Sequence, residues 1–321
     1  MKIAKIATGV FVVLLLLLFL IISFITPGRS NTSHLFVIPL DATHKEITTR
    51  LKNDGLIKNT FEFDIVSMLN GFVSIKPGGY NFSPSMNVWK VVTTFRQGQA
   101  SIWVVVPEGL RKEEIGRILA AALKWTPAQL NEWTTIDTNQ SPDYFEGVYF
   151  PSTYLLPKTE TPAQAAARMI DTFNEQFAPY SKEALAQNIK WTTALKIASL
   201  VQREAKGASD APLISGIIWN RLNQNMQLDI DSTVQYARGN TGKGWWAPIT
   251  PADEKINSPY NTYLNIGLPP TPIDDPGLTA ISAALNPAST TCLYYLHDSS
   301  GTIHCADTYP EQEQNVQTYL K

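Results

Sequence analysis

The chain opens on an unbroken apolar run. Ile6 to Ile25 (IATGVFVVLLLLLFLIISFI) carries no charge, and about 20 apolar residues is the length that spans a bilayer core. Lys2 and Lys5 precede it, so the positive-inside rule keeps the N-terminus cytoplasmic and puts everything after Thr26 outside. A cleaved signal peptide shares the basic start and the apolar run. The length of the run, and the lack of a small-x-small site in TPGRSNTS, favour a retained single-pass transmembrane helix. Residues 1–26 are thus expected to be a cytoplasmic start and anchor, and 27–34 (PGRSNTSH) a polar linker.

Beyond the linker a weak internal repeat appears. Val37-Ile38-Pro39 is followed by Ile47 and Leu51, and Val105-Val106-Pro107 by Ile115 and Leu119, with apolar helix positions eight and twelve residues after each proline. Each copy predicts a strand, a turn and an amphipathic helix. Between them FVSIKPGGYNF predicts strand and turn, and MNVWKVVTTFRQG a helix closed by Gly98. Small β-α units of this kind occur in sugar-binding modules such as LysM domains, and a generic α+β scaffold has the same pattern. Residues 35–124 are read as this small domain.

Residues 125–321 read as a second, mainly helical domain. EGVYFPSTYLLP (146–157), rich in aromatics and proline, predicts an ordered loop. ETPAQAAARMIDTFNEQF predicts a helix capped by Thr161 with Pro162 in its first turn. Trp191 to Leu222 predicts two helices, the second over Ala211–Asn223 with Asp210 as N-cap. In the first, Ile197, Leu200, Val201 and Glu204 fall at i, i+3, i+4 and i+7, one helical face. Glu204 therefore continues an apolar stripe, while Gln202 and Arg203 turn away. A carboxyl held against apolar side chains loses solvation and its pKa rises, which is what a general acid at a glycosidic oxygen requires. A half-exposed glutamate at a helix end has the same local pattern. Downstream, MQLDIDSTVQYARG shows short polar and apolar alternation, and SPYNTYLNIGLPPTPIDDPG combines tyrosines, carboxamides and a proline turn. Rings and amides suit carbohydrate, and they suit a rigid internal loop equally.

Composition narrows the classes. The formal net charge is -2 with pI near 6.1, so no global basic field points to nucleic acid. His34, His44, His297 and His304 lack metal-ligand spacing, and no phosphate loop, G-x-S-x-G or other cofactor motif is present. No cofactor and no metal are expected. Cys292 and Cys305 flank CLYYLHDSSGTIHC, a strand, an Asp-Ser-Ser-Gly turn and a strand. A hairpin there would let the two form a disulfide; two half-buried strand cysteines are the alternative.

The series IASLVQREA (197–205), NRL (220–222), M-x-L-x-x-D-x-T-V-x-Y (226–236) and SPYNTY…GLPP (258–270), with EGVYFPSTY upstream and LNPAST…LYYL downstream, resembles the MltG/YceG-like endolytic murein transglycosylases from about residue 35 to the C-terminus. The resemblance implies an α+β protein: one transmembrane helix, a LysM-like β-α domain and a mainly helical lytic transglycosylase domain with a β-hairpin. It implies that Glu204, the second acid position of the family's A-S-[IL]-V-E-[KR]-E motif, is catalytic, and Gln202 occupies the first. It implies that Asp231, Thr233, Tyr236, Tyr260, Asn261, Thr262 and Tyr263 line a glycan groove. Peptidoglycan strands, the membrane and peptidoglycan synthases are the implied partners, and the outer side of the bacterial inner membrane the implied location. Departures include Asp229 in place of glutamine, Ser232 in place of proline, Thr271 in place of glycine and Cys305 in place of phenylalanine. An ordinary muramidase would need a second carboxylate, for which Asp229 and Asp231 are candidates. A binding scaffold would need no carboxyl on that helical face.

Overall fold

The computed structural model describes residues 2–141, 143 and 145–320, with side chains other than those of residues 2–6, 16 and 20. Two compact units emerge: Met1–Val104 with Tyr154–Thr159, and Val105–Thr153 with Glu160–Lys321.

The first unit runs α1 (Lys2–Ser23), β1 (His34–Ile38), α2 (His44–Asn53), α3 (Thr60–Leu69), β2 (Gly78–Phe82), α4 (Val88–Gln97) and β3 (Ser101–Val105), and takes back β4 (Thr153–Pro157). The sheet order is β1-β2-β3-β4, with Phe36 opposite Tyr80 in the antiparallel β1–β2 pair. Side chains alternate across a strand, and in β1 Phe36 and Ile38 turn inward while Leu35 stays exposed. The inward face meets Ile47 and Leu51 of α2, Phe63 and Val66 of α3, and Val91, Val92 and Phe95 of α4. Phe95 lies edge-on to Tyr80 and Phe82, with centroids 4.7 and 4.9 Å away. Side-chain caps start the helices: Thr43 and Glu46 form a capping box on α2, Asn59 caps α3 and Asn87 caps α4. Gly98 (φ 98°) closes α4 as expected. Among the described residues no helix is long and apolar enough to cross a membrane. Of the stretch expected to span, the side chains of Ile6, Leu16 and Leu20 lie outside those described.

The second unit runs α5 (Lys112–Leu123), α6 (Pro127–Glu132) continuing into a π-helical turn (Trp133–Asp137), α7 (Pro162–Ala186), α8 (Trp191–Glu204), α9 (Ala211–Asn223), α10 (Asp231–Arg238), α11 (Leu278–Leu285), β5 (Tyr294–His297), β6 (Ile303–Ala306) and α12 (Tyr309–Tyr319). Helix α8 is the spine, packed by α7, α9, α10 and α11. Its residues Ala194, Leu195 and Ile197 to Val201 are all buried, a width of apolar surface that marks a core helix rather than an amphipathic one. Thr161 and Gln164 form the capping box of α7, with Pro162 in its first turn.

Both strand–turn–helix copies are present, and Ile47, Leu51, Ile115 and Leu119 are buried. The second copy is split, because β3 joins the first sheet while α5 packs with α6 and the π-helical turn. The fully buried Trp133 ties that turn to the start of α5, donating to the Lys112 carbonyl at 2.7 Å. Helix α5 thus belongs with the second unit, although the sequence division after residue 124 grouped it with the first. The loop read over 146–157 carries buried Val148 and Tyr149 and then becomes β4.

Candidate active site

Glu204 is the last residue of α8, and its side chain is half-buried. Two hydroxyls hold its carboxyl. Ser232, near the start of α10, donates to Oε1 at 3.0 Å, and Tyr295 of β5 donates to Oε2 at 2.8 Å. Burial pushes the Glu204 pKa up. The Tyr295 and Ser232 hydrogen bonds pull the other way, Asp231 adds to the rise and Arg203 opposes it. A carboxyl at the negative end of a helix dipole is disfavoured as an anion as well. The outcome is a single carboxyl biased toward its protonated form, with both oxygens aimed by neighbours.

The turn behind Glu204 is fixed by Asp210. Its carboxylate accepts from the backbone N–H groups of Lys206 and Gly207, each at 3.0 Å, and lies 2.8 Å from His297 Nε2. Those bonds hold the Asp210 pKa below its ordinary value against the effect of burial. Asp210 is at the N-cap position of α9 as expected, yet its side chain makes no cap bond, because the preceding turn uses it. Tyr295 and His297 are two apart on β5 and therefore share a face. One strand thus reaches both Glu204 and the turn that follows it. Cys292 and Cys305 are disulfide-bonded, with Cα atoms 5.9 Å apart, and Cys305 lies opposite Tyr295 in the hairpin.

The residues implied as groove-lining fall into two groups. Asp231, Tyr260 and Tyr263 retain exposure. Tyr263 donates to Asp231 Oδ1 at 2.6 Å, and Tyr260 lies 2.8 Å from the Thr271 hydroxyl. Thr233, Tyr236, Asn261 and Thr262 are buried, and their polar groups are bound inside the protein. Thr233 and Thr262 hydroxyls pair at 2.9 Å. The Asn261 amide donates to the Glu254 and Ile256 carbonyls, and its oxygen accepts from the Tyr263 backbone. The Tyr236 hydroxyl donates to Glu146 Oε2 at 3.0 Å, while Arg111 stacks on its ring. Those four build the support under the site and present no free group to a ligand.

Glu146 itself is fully buried and also accepts from the Lys112 backbone at 2.7 Å. Burial, then the charge of Glu113, push its pKa up to about 8. The motif EGVYFPSTY thus supplies a buried polar strut to Tyr236. Asp229 is bound to Arg221 at 3.0 Å, which removes it as a free second carboxylate. Asp231 is free of such an ion pair among the described residues and stands at the first turn of α10, one residue from Ser232. Sequence reasoning missed Ser232 and Tyr295 as partners of Glu204. Their signals were the hydroxyl beside Asp231 in the D-x-T-V-x-Y segment, and the alternation along LYYLH. A cavity of about 210 Å³ bounded by Glu108, Gln202 and Lys206 lies beside the last turn of α8 and does not include Glu204.

A protein of Streptococcus pneumoniae serotype 2 named endolytic murein transglycosylase is 26% identical over 318 residues, covering 88% of this chain and 58% of its own length. One of that name from Bacillus subtilis is 28% identical over 313 residues, covering 91% of this chain and 86% of its own. The chain therefore spans little more than half of the streptococcal relative. A crystal structure of a yceG-like protein from Listeria monocytogenes superposes with a TM-score of 0.64 at 27% identity, covering 89% of this chain and 99% of that one. The pattern of the YceG-like family matches residues 36–318, and the chain belongs to that family.

Proposed function

We propose that the protein is an endolytic peptidoglycan lytic transglycosylase that cuts the bond between N-acetylmuramic acid and N-acetylglucosamine within nascent strands, with Glu204 as acid and then base. The observation that carries this is the carboxyl of Glu204, biased toward protonation and held by Ser232 and Tyr295; the names of the relatives support the reaction class. Glu204 gives its proton to the leaving glycosidic oxygen as the C1–O bond breaks. The substrate's N-acetyl group shares the positive charge at the anomeric carbon. The muramoyl C6 hydroxyl then bonds to C1, and its proton returns to Glu204. The products are a 1,6-anhydro end and a free N-acetylglucosamine hydroxyl, with no water consumed. One carboxyl serves both steps because its protonation state alternates.

The groove is formed at Asp231, Tyr260 and Tyr263. In the first unit a cavity of about 310 Å³ lined by Phe36, Pro39, Asp41, Thr43, Glu46 and Arg50 supports a LysM-like glycan-binding role. Helix α1 serves as a retained single-pass anchor in the bacterial inner membrane, with the catalytic unit outside, where strands leave the synthases that are its partners. Asp231, whose charge acts on Glu204, supports a second reading as a hydrolase. Mass spectrometry of products from purified peptidoglycan separates the two. Anhydro-muramic ends are expected; reducing ends would overturn the lyase in favour of Glu204–Asp231 hydrolysis, and intact strands would favour a binding scaffold.

Tyr295→Phe tests the aiming of Glu204. The Tyr295 hydrogen bond favours the carboxylate, so its loss raises the Glu204 pKa further. The acid form is the one present below the pKa, so the alkaline limb of the activity profile should move to higher pH. Peak turnover should fall by on the order of tenfold, the equivalent of one hydrogen bond to a charged group. A limb that stays put or moves to lower pH would show that Glu204 does not set it.

A further inference from the structure

Helix α3 is apolar on both sides. Phe63 and Val66 enter the core of the first unit, yet Phe61, Met68 and Leu69 on the outer side are 70%, 50% and 58% exposed. Phe61, Ile65 and Met68 stand at i, i+4 and i+7 on one outward face, which Leu69 widens and the exposed Asp64, paired with His44, borders. Past the helix, Gly71 (φ 82°) turns the chain and Phe72 follows, 76% exposed. Phe72 has φ 54°, a left-handed conformation that costs a bulky residue about 1–2 kcal/mol. Bonds from the Phe72 and Val73 N–H groups to Ser67 hold it there. Strain spent on displaying an aromatic ring to solvent is a feature that folding alone does not require.

The end of α1 is fixed to α4 and to the loop that precedes α3. Trp89 donates to the Ser23 hydroxyl at 2.7 Å and stacks on Phe24. Phe19 packs against the core of the unit. Lys58, two residues before α3, reaches the Ile22 carbonyl at 3.5 Å. A ten-residue helix is about 15 Å long, so the stripe starts near the last turn of α1 at Phe61 and runs about that far to Leu69. Lys58 and Lys76 bracket the apolar segment, the arrangement by which lysines meet anionic headgroups while apolar side chains enter the acyl boundary.

We propose that the stripe Phe61, Ile65, Met68, Leu69 and Phe72 is a membrane-contact surface that lays the first unit on the bilayer, beside the point where α1 emerges. The proposal rests on the reading of α1 as an anchor. Lipid contact covers an apolar face that the fold leaves open and fixes how the first unit meets the membrane.

Both cysteines are consumed by the disulfide, so one introduced cysteine takes one nitroxide label. The full chain is reconstituted in vesicles of phosphatidylethanolamine and phosphatidylglycerol with the label at Met68→Cys, Phe72→Cys, Val13→Cys in α1 or Thr49→Cys on the exposed side of α2. Relaxation by oxygen, which partitions into lipid, is compared with relaxation by a water-soluble nickel chelate. Labels at Met68 and Phe72 should respond several-fold more to oxygen than to nickel, as Val13 does, while Thr49 responds chiefly to nickel. Nickel-dominated relaxation at Met68 and Phe72 with Val13 in lipid would overturn the contact surface and leave the anchor standing. Nickel-dominated relaxation at Val13 would overturn the anchor and the surface with it. Spin–spin broadening between labels at Met68 would show a second copy covering the stripe and overturn the lipid assignment.

Discussion

Glu204→Gln should abolish strand cleavage, lowering turnover by at least the 10²–10⁴-fold typical of a lost general acid, while the protein folds as before. The amide has the shape of the carboxyl and can still meet the Ser232 and Tyr295 hydroxyls, so binding and packing are retained. What is lost is the proton, first for the leaving oxygen and then for the return step from the muramoyl C6 hydroxyl. Stability supplies an independent check with a definite sign. Burial raises the Glu204 pKa in the folded state, so its contribution to stability is complete below the unfolded value of about 4.5 and is lost as pH rises through the folded pKa. At neutral pH the neutral amide escapes that loss, so the variant should melt at the same temperature as the parent or higher. A site that trades stability for chemistry behaves in this way. Turnover by Glu204→Gln at the parent's rate would sink the assignment; inactivity with a large fall in melting temperature would show only that the side chain is structural.

Much of the second unit was legible because its signals are local. The apolar stripe from Ile197 to Glu204, the Thr161–Pro162 start and the Asp-Ser-Ser-Gly turn each follow from residue spacing or turn chemistry, and α8, α7 and the β5–β6 hairpin are where those signals put them. Helix α10 was not legible. Its eight residues bury Ser232, Thr233, Val234 and Tyr236, and three of those four are polar, so no helical period of hydrophobicity appears. The return of β4 to the first sheet is a long-range pairing that no local pattern announces. The YNTY segment shows the limit most clearly. Asn261 and Thr262 have the chemistry that suits a sugar, and the same chemistry satisfies buried carbonyls and hydroxyls, as it does here. Burial decides between the two, and burial is a property of the fold. Tyr295 stayed hidden for a related reason, since its partner Glu204 lies 91 positions away.

Arg221→Met should be strongly destabilising, costing about 3–5 kcal/mol of stability. The guanidinium is nearly buried on α9. Its Nε donates to the Leu293 carbonyl at 2.6 Å, and its Nη1 to the Gln227 and Leu228 carbonyls at 2.9 Å and to Asp229 at 3.0 Å. Its planar face lies over the Tyr294 ring, 4.9 Å from the centroid. One side chain therefore joins three segments: α9, the turn that leads into α10 with Ser232, and the strand that carries Tyr295. Methionine fills much of the volume and satisfies none of those acceptors, and each carbonyl left without a donor costs about 1–3 kcal/mol. Asp229 is partly exposed and screened by solvent, so its lost ion pair adds little. Both hydroxyls that hold Glu204 are positioned from these segments, so activity should fall even at temperatures where the variant remains folded. Chemical denaturation read beside turnover separates the effects. A midpoint within error of the parent's would mean that the three carbonyls find water, and that Arg221 is not the joint on which Ser232 and Tyr295 depend.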